Sequence, residues 1–149
     1  MRRKADVHLR KEREMSEQNK EVVRKYYDEV LNGRNLEAVG DYFADERIVE
    51  GVRRGCFSYF TAFPDLHLSF DELIAEGDSV FLRSTMTGTH DGEYKGIPAT
   101  GRHIASESAE VFRIADGKFV GYWCLANVAG LMRQLTEEPV ASSVGAATS

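Results

Sequence analysis

The chain has little that would tie it to a metal, a membrane or a disulfide framework. Only two of its 149 residues are cysteine, Cys56 and Cys124, and they form no CxxC or metal-type spacing. Two lone thiols in a chain of this size read as reduced, which points to the cytoplasm. The four histidines, His8, His67, His90 and His103, make no HxH or HxxxH pair, so no metal is expected. No apolar run approaches the ~20 residues that span a bilayer, and no apolar signal segment follows the basic start, so no membrane partner is expected. A net charge of −5 argues against nucleic acid as the main partner. Proline is scarce too, with three residues in all and none before Pro64.

What is present is the composition of one globular domain, 42% hydrophobic and 29% charged, long enough to bury a core. Residues Met1 to Glu14 carry six Lys/Arg against three Asp/Glu and only scattered apolar positions. They read as a basic, disordered extension over residues 1–15, with Ser16 as a helix N-cap. A domain over 16–137 follows, and then a small, polar, disordered tail over 138–149.

From Ser16 on, Val22, Val23, Tyr26, Tyr27, Val30 and Leu31 recur at helical spacing up to Gly33. Leu36, Val39, Tyr42 and Phe43 predict a second, shorter helix. Val52, Cys56, Phe57, Phe60 and Phe63 predict a third, stopped by Pro64. Beyond Pro64 the period changes to two: Leu66, Leu68 and Phe70 share one strand face, and Val80, Leu82, Ser84 and Met86 another. Glu76-Gly77-Asp78 and Asp116-Gly117 read as hairpin turns. Arg102 to Ile114 and Lys118 to Asn127 read as long antiparallel strands, and Leu131, Met132 and Leu135 as a closing helical turn. Helices followed by antiparallel strands make an α+β pattern, and a curved sheet over helices leaves an apolar hollow suited to a small molecule.

Five short motifs punctuate this pattern: Asn32-Gly33-Arg34, Ala62-Phe63-Pro64-Asp65-Leu66, Gly88-Thr89-His90, Pro98-Ala99-Thr100-Gly101-Arg102 and Asp116-Gly117-Lys118. In order and spacing they resemble the SnoaL-like polyketide cyclases, within the wider nuclear-transport-factor-2-like superfamily. The resemblance runs from about Lys20 to Leu135. It implies a cone-shaped barrel, with a curved and mostly antiparallel sheet wrapped around three N-terminal helices. It also implies a homodimer, no cofactor, and a hydrophobic, polyketide-like carbonyl compound closed by intramolecular aldol chemistry.

The resemblance breaks where the chemistry sits. The family's acid/base Asp on the last strand corresponds to Cys124, and a second Asp to Asn127. A histidine of the neighbouring strand corresponds to Glu110, and the first-helix Tyr to Leu31. About ten residues that the family places before the third helix, a strand among them, are missing, which shortens one wall of the pocket.

The register of the last hairpin decides which residues meet. With a three-residue loop Glu110 opposes Cys124, and Ser108, Glu110, Phe112, Val120, Tyr122 and Cys124 share the cavity face. With a two-residue loop Glu110 opposes Trp123 and the group dissolves. The first register makes Glu110 the candidate general base, its pKa lifted by an apolar pocket. Tyr122 would then donate to an enolate-like oxygen, with Asn127 in support. Cys124 completes the candidate catalytic set, although a buried thiol without a neighbouring cation is inert. Tyr27, Leu31, Phe60, Phe63, Met86, Phe112 and His90 are the candidate substrate-binding residues. Trp123 falls on the opposite face, where sheet packing or a dimer contact would use it.

Three functions compete: a cofactor-independent cyclase or isomerase, a ligand-binding or accessory protein, and a hydroxylase-type relative. The loss of the family's Asp at Cys124 favours the last two, and the remaining polar groups favour the first. An epoxide hydrolase built on Arg83 and Glu110 lacks an evident second carboxylate.

Overall fold

A computed structural model describes residues 1–138. Helix α1 spans Arg2–Tyr26 and passes without a break into a π-helical turn, Tyr27–Asn32. A 3-10 turn, Leu36–Ala38, and short α2, Val39–Tyr42, lead to α3, Glu46–Ala62. Strands β1 (His67–Glu76), β2 (Ser79–Thr89), β3 (His103–Ala115) and β4 (Lys118–Ala126) follow, then α4 (Val128–Thr136). The strands form one antiparallel sheet in the order β1-β2-β3-β4. The architecture is α+β and cone-shaped, and the sheet is an open curved wall rather than a closed barrel.

The expectation of a disordered extension over residues 1–15 is corrected, because α1 begins at Arg2 and Ser16 lies inside it. No proline or glycine interrupts the chain before Gly33, and Lys, Arg, Glu, Ala and Leu are good helix formers. Two i,i+4 pairs, His8–Glu12 at 3.0 Å and Arg10–Glu14 at 3.1 Å, brace this exposed part. The tail reading falls almost wholly on residues 139–149, outside the described residues.

Gly33 ends the helix for a reason other than backbone freedom. Its φ is −80°, and Arg34 takes the left-handed conformation at φ 57°. A Cβ on Gly33 would lie 2.5 Å from the Glu29 carbonyl oxygen, so no side chain fits. Arg34 is held by donating to the carbonyls of Pro64 and Leu66. Asn32 acts as a strand partner to β1: its Nδ2 donates to Leu68 O at 2.9 Å and its Oδ1 accepts from Leu68 N at 2.8 Å. The π-turn is thereby bound to the sheet.

The β3–β4 hairpin has the two-residue turn Asp116-Gly117, with φ of 50° and 74°, and pairs Ala115 with Lys118 and Ile114 with Phe119. A bulge then shifts the register, so Arg113 faces Gly121 and Glu110 faces Cys124. The pairing expected of a three-residue loop therefore arises from a two-residue loop plus one extra residue. The extra residue is Val120, which is exposed instead of sharing the cavity face; Phe119 turns inward beside Phe112 in its place.

Two apolar clusters hold the fold. Tyr26, Phe43, Phe112 and Phe119 join Val23, Val30, Val39 and Leu82 at one end. Phe63, Leu66, Tyr94, Ile104, Leu131 and Leu135 close the other. Phe57, expected in the helical stripe, is exposed. Phe43 pairs with β4 through a single parallel bridge to Phe119, and no other strand lies along that edge of β4 among the described residues. No helix among them is long and apolar enough to cross a membrane.

Candidate active site

Between the two clusters lies a cavity of about 490 Å³. The π-turn contributes Tyr27 and Leu31, α3 contributes Cys56, Tyr59 and Phe60, and β1 and β2 contribute Leu68 and Met86. The floor comes from β3 and β4, through Ser108, Glu110, Tyr122 and Cys124. Alternation along two paired strands places these four on one face, because the bulge restores the register that groups them.

Glu110 is 6% exposed and, among the described residues, its side chain is held by hydroxyls alone. Tyr27 Oη and Ser108 Oγ (3.3 Å) donate to Oε1, and Tyr122 Oη donates to Oε2 at 2.9 Å. Ser108 is backed by Ser84, their hydroxyls 3.0 Å apart. Among the described residues no cation pairs with Glu110. Burial raises its pKa, and the three hydroxyls partly offset this by stabilising the carboxylate. The Tyr27 phenol is driven well above its ordinary value by burial and by the neighbouring carboxylate. The Tyr122 phenol is raised for the same two reasons in that order, although its side chain is 43% exposed at the open side of the floor.

The thiols flanking this group are poor nucleophiles. Burial, with Glu110 nearby, pushes Cys56 up to about 11. Cys124 is also raised, by desolvation first and Glu110 second.

Of the expected site residues, Glu110, Tyr122, Cys124, Tyr27, Leu31, Phe60 and Met86 meet at the cavity. Four do not line it. Asn127 caps α4, its Oδ1 accepting from Gly130 N at 2.9 Å. Phe63 and Phe112 are fully buried in the two clusters, where they pack helices on the sheet. His90 is fully buried beside Phe63, and its Nδ1 accepts from Thr100 N at 3.2 Å, pinning the 90–101 loop. Arg83 pairs with Asp71, Glu72 and Glu107 and does not line the cavity or pair with Glu110.

Sequence reasoning missed Ser84 and the bond from Tyr27 to Glu110. A serine in the otherwise apolar alternation Val80, Leu82, Ser84, Met86 was the available signal for the first. The second had none, since a helical stripe does not tell which aromatic meets a strand eighty residues on.

Comparison with known proteins agrees with this architecture. The pattern of the SnoaL-like polyketide cyclase family matches residues 21–135. The aklanonic acid methyl ester cyclase DnrD of Streptomyces peucetius is 34% identical over 73 residues, which make up 49% of this chain and 50% of that protein. The chain thus aligns with about half the length of this curated relative. Among solved structures, TsrD from Streptomyces laurentii superposes with a TM-score of 0.71 at 28% identity, covering 80% of this chain and 95% of its own. AclR, a candidate hydroxylase from Streptomyces galilaeus, does so with a TM-score of 0.71 at 25% identity, covering 83% and 99%. With the family pattern spanning most of its length, the chain belongs to the SnoaL-like polyketide cyclase family.

Proposed function

We propose that the protein is a cofactor-independent acid–base enzyme of the cyclase or isomerase type, acting on a polyketide-like carbonyl compound in secondary metabolism, with Glu110 as its base. The observation that carries this reading is a buried carboxylate on the floor of a largely apolar cavity, flanked by phenol donors and paired with no cation among the described residues. Glu110 Oε2 takes a proton from a carbon next to a carbonyl, and the C–H electron pair passes to the carbonyl oxygen as an enolate. Once Oε2 carries that proton, Tyr122 is released from it and turns its hydroxyl to the enolate oxygen. In a cyclisation the enolate carbon then attacks a second carbonyl. The new alkoxide takes the proton from Glu110, which returns to the carboxylate. The 34% identity over 73 residues to an aklanonic acid methyl ester cyclase supports ring closure as the type of reaction.

A second copy would pack on the outer face of the sheet. There Ile74, Phe81, Val111 and Trp123 pair successively across all four strands, and Ile74 and Trp123 are more than half exposed. The unpaired thiols suit a cytoplasmic setting. A ligand-binding role without turnover is favoured by Cys124 standing where the family has its Asp, and likeness to AclR keeps a hydroxylase-type role as a further alternative.

Deuterium uptake from D2O at the activated C–H of 2-tetralone, a bicyclic aromatic ketone, tests the reading by NMR. Glu110→Gln should slow catalysed exchange by about 10²–10⁴-fold with binding retained. Equal exchange by the variant would remove Glu110 as base. Binding by the wild type with no exchange would favour the carrier role.

A further inference from the structure

The floor of the cavity distinguishes the two oxygens of Glu110. Each carboxylate oxygen has about two acceptor positions. Oε1 accepts from both Tyr27 and Ser108, so its positions are filled by the protein. Among the described residues Oε2 accepts only from Tyr122, which leaves one position towards the cavity. The donors on Oε1 are the rigid ones. Tyr27 is 1% exposed and wedged against Phe70, at a ring-centre distance of 5.2 Å, and Ser108 is backed by fully buried Ser84. Tyr122 is 43% exposed and packs against Phe112 and Phe43 on one side only, on a strand that among the described residues has no further strand along that edge beyond the bridge at Phe119, so it is the least confined of the three donors.

We infer that Tyr27 is a positioning residue: with Ser108 and Ser84 it locks Oε1 of Glu110, so that Oε2 alone exchanges a proton with a bound carbonyl compound. This rests on Glu110 being the base. The π-helical turn is the device that delivers Tyr27, since the chain changes from α to π winding at this residue. Neighbouring Tyr26 also reaches the cavity wall, but its ring packs edge-on against Phe43, Phe112 and Phe119, and the described bond to Glu110 comes from Tyr27. The groups facing Glu110 from the surrounding elements are Tyr26 from α1, Tyr27 from the π-turn, Cys56 from α3, Ser84 from β2, and Tyr122 and Cys124 from β4. None of them is cationic, and the charged residues Arg47 and Glu107 line the cavity from exposed positions. Hydroxyl donation is therefore the means by which the fold keeps this carboxylate ionisable.

The test titrates Glu110 itself, by carbon-13 NMR of protein labelled at the glutamate side-chain carboxyls, with Glu110→Gln assigning the signal. Tyr27→Phe keeps the ring and removes one donor to the carboxylate. The Glu110 midpoint should rise by about one to two pH units, a 10- to 100-fold gain in proton affinity. The acid limb of 2-tetralone exchange should rise with it, and the plateau should fall by less than it does in Tyr122→Phe. Tyr122→Phe should instead lower the plateau at least tenfold. A Tyr27→Phe midpoint equal to wild type, or equal plateau losses in both variants, would overturn the assignment. Should Tyr27→Phe not fold, Ser108→Ala removes the other donor to Oε1 and must shift the midpoint in the same direction. Unchanged exchange in Glu110→Gln would instead refute the base reading, while the carboxyl titration would still decide what Tyr27 does.

Discussion

Burying Glu110 should tie the stability of the fold to pH in a way that Glu110→Gln abolishes. In the unfolded chain this carboxyl titrates near 4.5, and in the folded protein burial moves it higher. The folded state then holds its proton more tightly than the unfolded state does. The resulting stabilisation is fully present below the unfolded pKa and is lost as pH rises through the folded one. Between the two values the loss is about 1.4 kcal/mol per pH unit, the linkage slope for one proton. For a domain of this size that corresponds to roughly 3–6 °C in Tm per unit. Gln cannot ionise, so the variant lacks this slope. Its amide also fits the three hydroxyls differently, but that adds a constant offset with pH. Urea unfolding of both proteins from pH 4 to 8, followed by tryptophan fluorescence, gives the difference curve. Wild type should weaken relative to Glu110→Gln as pH rises from about 4.5, then run parallel to it above the folded pKa. Parallel curves throughout would show that the carboxyl titrates alike in both states and would refute its burial.

Two further outcomes probe the frame around the site. Phe119→Ala should cost about 3–5 kcal/mol, because its ring packs within 4.6 Å of Phe112 and 5.1 Å of Phe43 between ring centres; the adjacent Val120→Ala should be near neutral, and equal losses in denaturant melts would contradict the bulge. Gly33→Ala should cost about 1–3 kcal/mol by crowding the Glu29 carbonyl, and a neutral melt would show that the end of the π-turn yields easily.

The helices and strands were legible because their periods are clean: apolar residues recur at helical spacing up to Leu31 and alternate after Pro64. The pairing of Glu110 with Cys124 was legible only through the family's cavity face. A bulge leaves little mark on composition, so the swap of Val120 for Phe119 was hidden. The reading of residues 1–15 failed for a different reason. Without an apolar face a helix looks like a loop, yet helix formers and i,i+4 side-chain pairs suffice when nothing breaks the chain. For the site, alternation found the strand residues Glu110 and Tyr122, and the family pattern suggested His90 and Asn127. Those last two hold loop and helix ends, where a polar side chain satisfies backbone groups and never reaches the cavity.

The first half of α1 bears on how this protein should be watched as it melts. Residues 2–15 are helical yet exposed throughout, so their winding rests on local propensity and surface side-chain pairs. Such a segment frays gradually, whereas the sheet and its aromatic clusters open together. Far-ultraviolet circular dichroism will therefore decline before the main transition, while Trp123, paired within the sheet, reports the cooperative step. The two signals will not coincide, and that mismatch will come from an unsupported helical arm rather than from a folding intermediate.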